Sequence, residues 1–127
     1  MKVIILAGGL GTRISEYTKI IPKPMIKIKG KPILRLIIEH YHRYGFKDFY
    51  IALGYKGNFI KNYFRKNKIK GCKINLVETG AKTMTGGRVK RLKNIIKDEA
   101  FMLTYGDGVS NIDLNKLLNF HKKNKKL

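Results

Sequence analysis

The chain of 127 residues has no tryptophan, one cysteine, three prolines and only eight acidic residues. With Cys72 alone no intrachain disulfide can form, and one free thiol is typical of a reducing compartment rather than of a secreted protein. No apolar run approaches the roughly 18 residues of a membrane span. The first six residues lead into glycines rather than into the apolar region of a signal peptide. We therefore expect a soluble, cytoplasmic protein with no membrane partner.

The scarcity of acidic residues leaves a net charge of +20 at pH 7. So basic a surface suits nucleic acids, anionic membranes or phosphorylated substrates. However, residue types with A/T-rich codons are abundant, with 22 lysines, 17 isoleucines and 9 asparagines, and codon bias explains the charge equally well. The lysines are scattered apart from one run at 122–126, whereas nucleic-acid-binding domains more often pair clustered basic residues with stacking aromatics. Whichever of the two explanations accounts for the positive charge, it favours the binding of phosphate ligands.

Strand-like apolar runs alternate along the chain with segments of helical periodicity. Gly45 is placed to stop the first helix, and Asn111 or Asp113 to cap the last. The alternation predicts an α/β fold of one domain, 1–127, with a mostly parallel sheet, helices on both faces and ligands bound beyond the carboxyl ends of the strands. Strands are predicted at 3–6, Asp48–Leu53, Lys73–Glu78 and 100–105, helices at 32–44, 58–67, 89–96 and 114–126, and a polar loop at 79–87.

A glycine-rich segment, Gly8-Gly9-Leu10-Gly11-Thr12-Arg13, follows the first strand. It lacks the third glycine of a dinucleotide-binding fingerprint, and the chain has no Gly-Lys-Ser/Thr triplet of a phosphate-loop NTPase. Three glycines let backbone N–H groups approach a nucleotide closely. Arg13 and Lys23 add fixed positive charge for a triphosphate. The segment therefore predicts a nucleotide-binding loop of another kind.

The same segment, followed by Pro22-Lys23-Pro24-Met25 and by Gly30-Lys31-Pro32-Ile33-Leu34, resembles the signature of the sugar-1-phosphate nucleotidyltransferases. Within that family, Thr79-Gly80 and the segments 84–91 and 104–109 are similar to the matching parts of the glucose-1-phosphate cytidylyltransferases. The resemblance covers nearly the whole chain and corresponds to the N-terminal, nucleotide-binding half of the family. It implies a Rossmann-like, three-layer αβα fold of the nucleotide-diphospho-sugar transferase type.

The resemblance also implies a function, the transfer of a nucleotidyl group from a nucleoside triphosphate to a sugar-1-phosphate with release of pyrophosphate. CTP and glucose-1-phosphate are the favoured substrates. By motif position Arg13 and Lys23 are the implied catalytic residues, and Asp107 is the implied Mg²⁺ ligand. The implied nucleotide and substrate contacts are Leu6, Ala7, Gly8, Gly9, Leu10, Gly11, Thr12, Arg13, Lys23, Thr83, Arg88 and Gly106.

Such a reaction needs no general base, because a phosphate monoester is already largely ionised near pH 7 and catalysis reduces to alignment and charge neutralisation. The resemblance implies that Arg13 steadies the β- and γ-phosphates and that Lys23 bridges the α-phosphate and the sugar phosphate. Asp107, between two glycines after an apolar strand, could alternatively be an ordinary turn residue. No chemical role is expected for Cys72, Glu78, His40, His42 or His121.

Two departures from the family limit what the resemblance implies. The segment 65–73 is short where the cytidylyltransferases carry an insertion, which leaves the nucleobase open. The chain also stops where the family continues into a sugar pocket and a second metal-binding aspartate, so we expect a C-terminally truncated domain that binds nucleotide but turns over poorly. Its expected partner is a second copy or a missing C-terminal segment. A catalytically silent nucleotide-binding fragment and, less favoured, a basic nucleic-acid-binding module remain as alternatives.

Overall fold

The structure, a computed structural model, describes residues 1–9 and 21–124. Strands and helices alternate through these residues, as the sequence predicts. The elements are β1 (Lys2–Leu6), a short 3₁₀ helix (Lys23–Met25), β2 (Lys27–Ile28), β3 (Lys31–Pro32), α1 (Ile33–Arg43), β4 (Asp48–Leu53), α2 (Gly57–Lys66), β5 (Lys73–Glu78), α3 (Thr85–Arg91), α4 (Lys93–Ile96), β6 (Phe101–Tyr105) and α5 (Leu114–Asn124).

Four strands form a parallel sheet in the order β5-β4-β1-β6. From β1 the chain moves outward through β4 to β5, and then crosses back to place β6 on the other side of β1. The strand order therefore reverses between β1 and β6. In open α/β sheets the crevice beyond the carboxyl ends of the strands at such a reversal is where ligands bind.

Side chains of β1 alternate between the two faces of the sheet, because successive residues of a strand point to opposite sides. Val3 and Ile5 belong to the apolar core that contains residues of α1, α2 and α5. Ile4 and Leu6 belong to a second core, which contains residues of the α3–α4 segment. Helices thus cover both faces, and the predicted three-layer αβα fold with a parallel sheet is confirmed.

Two helix boundaries follow the predicted signals. Gly45, at φ +89°, follows the end of α1, and its N–H donates to the His42 carbonyl at 2.9 Å. Of the two predicted caps for α5, Asp113 is correct, since its Oδ1 accepts from the N–H groups of Asn115 and Lys116 at 3.0 and 3.1 Å. No helix in the described part of the chain is long and apolar enough to cross a membrane.

Three features differ from the prediction. The single helix predicted at 89–96 is two helices, α3 and α4, which are separated at Leu92. Helix α3 begins at Thr85, so the predicted loop at 79–87 is too long and Gly86 and Gly87 are helical despite their low helix propensity. The hairpin of β2 and β3 was not predicted. Its turn residues Lys29 and Gly30 both have positive φ, +51° and +83°, as a type I′ turn requires.

Candidate functional site

A cavity of about 340 Å³ lies beyond the carboxyl ends of β1 and β6, at the reversal of the strand order. The segment after β1, the 3₁₀ helix, the loop after β5, the start of α3 and the end of β6 contribute to its wall. The structure gathers here eight residues predicted from the sequence: Leu6, Ala7, Gly8, Gly9, Lys23, Thr83, Arg88 and Asp107.

Of the remaining predicted residues, the structure describes Gly106 alone. Gly106 lies directly behind the cavity wall, and its N–H donates to the Leu6 carbonyl at 2.9 Å. A Cβ at Gly106 would lie 3.2 Å from the Ala7 Cβ, so glycine allows the ends of β1 and β6 to approach closely. Leu10, Gly11, Thr12 and Arg13 lie outside the described residues, and their roles stay predictions.

Sequence reasoning missed six further lining residues. Tyr105 could have been found, since it ends a strand whose carboxyl end was predicted to be functional. The other five lie in segments whose position at the cavity could not be predicted from the sequence. The six are Pro24, Ala81, Lys82, Met84, Thr85 and Tyr105.

Lys23 and Asp107 form an ion pair at the cavity, with 3.2 Å between Nζ and Oδ2. The 3₁₀ helix presents Lys23, and the helix is anchored by the buried side chains of Pro24 and Met25. Asp107 follows β6, which the ladder to β1 holds in register. Both members of the pair remain partly exposed to solvent, so a ligand in the cavity could reach either of them.

The electrostatics of the cavity favour an anion. Lys23, Lys82 and Arg88 line it, whereas Asp107 is the sole carboxylate among its described lining residues. Burial lowers the pKa of the Arg88 guanidinium from its ordinary value, and the neighbouring charge of Arg91 lowers it further. A wall with several cations and one carboxylate suits a phosphorylated ligand.

No group of three or more His, Cys, Asp or Glu side chains that could hold a metal ion occurs among residues 1–9 and 21–124. Asp107 nevertheless provides one partly exposed carboxylate on the cavity wall. Mg²⁺ is commonly held by one or two carboxylates together with substrate phosphates and waters. Asp107 therefore fits a magnesium ion shared with a bound phosphate, and does not by itself form a complete metal site.

Comparison with curated proteins gives close relatives. The glucose-1-phosphate cytidylyltransferase of Salmonella typhimurium is 45% identical, over 96% of this chain and 56% of the relative. The D-glycero-alpha-D-manno-heptose 1-phosphate guanylyltransferase of Campylobacter jejuni is 43% identical, over 92% of this chain and 52% of the relative. The chain thus spans about half the length of the curated relatives it matches.

Solved structures agree with the fold. HddC from Yersinia pseudotuberculosis complexed with GMP-PN matches with a TM-score of 0.85 at 32% identity, over 94% of this chain and 53% of the other. A putative glucose-1-phosphate thymidylyltransferase from Bacillus anthracis also reaches 0.85, at 18% identity, and supports the fold alone. The family described as Nucleotidyl transferase matches residues 2–127. On these grounds the chain belongs to the nucleotidyl transferase family, as the sequence motifs imply.

Proposed function

We propose that this chain binds the nucleoside triphosphate in a sugar-1-phosphate nucleotidyltransferase reaction, which yields a nucleotide sugar and pyrophosphate. The observation that supports the proposal most is the meeting of three features in one cavity. They are the glycine backbone after β1, the ammonium of Lys23 and the carboxylate of Asp107. Each provides something that a triphosphate needs, namely N–H donors, a cation and a ligand for a shared metal ion.

In this proposal a sugar-phosphate oxygen attacks the α-phosphorus and pyrophosphate departs. The bond to the sugar phosphate forms as the bond to the leaving pyrophosphate breaks, and no side chain has to remove a proton. Lys23 is proposed to neutralise charge on the transferred group, because its ammonium lies at the cavity beside Asp107. Arg13 is proposed, from its motif position, to act on the β- and γ-phosphates.

Asp107 would hold Mg²⁺ together with phosphate oxygens, and the ion, when bound, would neutralise charge on the phosphate oxygens. The present contact between Lys23 and Asp107 then has a simple meaning. Each group is the other's counter-ion until phosphate and cation are supplied, and the site avoids an uncompensated charge in either state.

CTP is the proposed nucleotide and glucose-1-phosphate the proposed acceptor. The preference rests on the likeness of Thr79-Gly80 and of the segment 84–91 to the cytidylyltransferases. Overall identity does not decide it, because the cytidylyltransferase and the guanylyltransferase relatives are almost equally similar to this chain. Met84, Thr85 and Arg88 of the second segment line the cavity, so this segment lies within reach of a nucleotide bound there.

Competition calorimetry in the presence of Mg²⁺ tests the proposal. CTP should bind most tightly among CTP, UTP, GTP, dTTP and ATP, and a higher affinity for ATP or GTP would refute the choice of base. Lys23→Met should weaken CTP binding, whereas Lys27→Met, a matched loss of charge on β2 outside this cavity, should not. If no triphosphate binds, the proposed function is wrong.

Pyrophosphate release from CTP and glucose-1-phosphate tests the second half of the proposal. We expect binding with little turnover from this chain alone. It spans about half the length of its relatives, and correct positioning of two reactants can contribute roughly 7 to 11 kcal/mol. Turnover of about 1 s⁻¹ or more would show that the 127 residues form a sufficient active site.

A further inference from the structure

Arg88 is the one charged side chain that is buried in the described part of the chain, with 4% of its surface exposed. Its guanidinium joins three backbone segments. Nη2 donates to the Gly8 carbonyl at 2.6 Å, and Nη1 donates to the Gly80 carbonyl at 2.7 Å and to Thr79 Oγ1 at 2.9 Å. The Thr79 hydroxyl in turn donates to the Leu53 carbonyl at 2.7 Å. One side chain therefore ties together the ends of β1, β4 and β5.

Two glycines make room for this guanidinium. A Cβ at Gly8 would lie 2.2 Å from Arg88 Nη1, and a Cβ at Gly54 would lie 2.4 Å from the same atom and 2.8 Å from the Gly8 carbonyl oxygen. Real Cβ atoms do not occur at such distances, so a side chain at either position would push Arg88 out of place. Gly54 carries no part of the nucleotidyltransferase motif and does not line the cavity.

Within residues 1–9 and 21–124, the groups that compensate the charge of Arg88 are dipoles. No ion pair among the described residues includes it, and carbonyl and hydroxyl oxygens accept its hydrogen bonds. A buried charge is normally stable only when its hydrogen-bonding groups are satisfied. Because both terminal nitrogens of its guanidinium already donate to protein oxygens, Arg88 has limited capacity to bind a ligand directly.

The contact with Gly8 orients the next N–H group. The carbonyl of Gly8 and the N–H of Gly9 belong to one peptide plane, and a trans peptide holds them on opposite sides. No cis peptide bond occurs in the part of the chain that the structure describes. With the Gly8 oxygen held by Arg88 and by the Tyr55 N–H at 3.3 Å, the Gly9 N–H points away from both of these donors.

We propose that Arg88 is a positioning residue, which acts on the bound nucleotide through the Gly8–Gly9 peptide that it holds at the cavity wall. This inference rests on the proposed function for the identity of the ligand. It differs from the direct ligand contact that the family resemblance implies for Arg88. It also gives Gly54 a role, because the absence of a side chain there keeps the guanidinium and the Gly8 carbonyl together.

The test combines CTP affinity with the ¹H–¹⁵N chemical shift of the Gly9 amide in the ligand-free protein. Arg88→Met and Gly54→Ala should both move the Gly9 resonance and weaken CTP binding, by up to about 10²-fold. Lys90→Met removes an equal charge from the exposed side of α3 and should change neither quantity. Arg88→Lys keeps the charge, but its single ammonium nitrogen cannot replace the two guanidinium nitrogens that donate to the Gly8 and Gly80 carbonyls. It should therefore resemble Arg88→Met.

Two results would overturn the proposal. The first is weakened CTP binding by Arg88→Met with an unmoved Gly9 resonance, which would indicate direct contact with the ligand. The second is a moved resonance with unchanged affinity. If Arg88→Met fails to fold, Gly54→Ala and Arg88→Lys give the same comparison. If the wild-type protein binds no triphosphate, the proposed function fails, while the ligand-free amide shift still decides whether Arg88 holds this peptide.

Discussion

The ammonium of Lys23 lies 3.2 Å from the carboxylate of Asp107, although the two residues come from opposite ends of the described chain. The pair joins the 3₁₀ helix to the turn after β6 across the cavity. In the free protein Lys23 occupies the place of a cation at Asp107, and Asp107 occupies the place of an anion at Lys23. The effect of this ion pair on ligand binding can therefore be measured by removing one of the two charges.

Asp107→Asn should abolish the gain in CTP affinity that Mg²⁺ provides, a loss of about tenfold or ~1.4 kcal/mol. Without Mg²⁺ the variant should bind CTP at least as well as the wild type, because Lys23 loses its competing carboxylate. Calorimetry with and without Mg²⁺ measures both effects, and circular dichroism should show an unchanged fold. Asp98→Asn, in the exposed turn after α4, is the control. Equal Mg²⁺-linked affinity in the variant and the wild type would remove Asp107 from the site.

The sequence predicts the regular parts of this fold well. Strand β4 and strand β5 have the predicted bounds, and Gly45 and Asp113 mark helix ends as expected. These features depend on local periodicity and local capping, which the sequence contains directly. The start of α3 does not follow from such local signals, because Gly86 and Gly87 have low helix propensity yet precede a buried Arg88 and a Val89 that packs against the second core.

Eight residues predicted from the sequence lie together in one cavity, but the sequence did not predict their geometry. Motif position brought Lys23 and Asp107 into the same prediction, yet no rule of spacing states that they form an ion pair. Motif position likewise identified Arg88, but not its burial beneath Gly8 and Gly54. Such contacts join residues far apart in the chain, and only the assembled sheet fixes their distances.

The cap of α5 provides a stability test. Asp113→Ala removes the acceptor for two helix N–H groups, at 3.0 and 3.1 Å, and should reduce the free energy of unfolding by about 1 kcal/mol. Asn111→Ala, at the other predicted cap, should have an effect below ~0.5 kcal/mol. Urea denaturation with equal m-values measures both. A similar loss in the two variants would show that Asp113 is not the cap.

Glu39 should make stability depend on acid pH. Burial alone would raise the pKa of Glu39, but hydrogen bonds from Arg35 and Lys31, at 2.9 and 3.1 Å, outweigh it and place the pKa below its usual 4.5. A pKa that is lowered by folding stabilises the folded state at pH values above the ordinary pKa of the group. This stabilisation is lost as the pH falls through the folded-state pKa. The charged carboxylate therefore contributes at pH 7 and not in strong acid.

Glu39→Gln should consequently be less stable than the wild type at pH 7. The loss should be about 1 kcal/mol, because the ion pairs of Glu39 with Lys31 and Arg35 are partly exposed to solvent. The difference should shrink as the pH is lowered below the ordinary glutamate pKa of 4.5. Glu99→Gln, which removes a more exposed carboxylate paired with Lys2, is the control and should show little effect at either pH. A difference between Glu39→Gln and the wild type that stays constant with pH would contradict the assignment.

Strand β6 is an open edge of the sheet, since within the described residues it pairs with β1 and with no other strand. Unpaired backbone groups on an edge strand are a template for pairing with another chain. Large side chains on this strand add to the tendency, because Leu103 is 48% exposed and Tyr105 is 59% exposed. We predict concentration-dependent self-association of this chain through β6.

Sedimentation velocity over a range of micromolar concentrations measures this association. Leu103→Lys places a charge on the edge, a device by which natural sheets prevent edge pairing, and should shift the protein toward monomer. Ile28→Lys replaces a side chain of similar exposure, 46%, on the separate hairpin and should behave like the wild type. If both variants dissociate equally, general surface hydrophobicity drives the association. If the wild type stays monomeric at every concentration, the edge does not pair, and neither result is compatible with β6 as the contact.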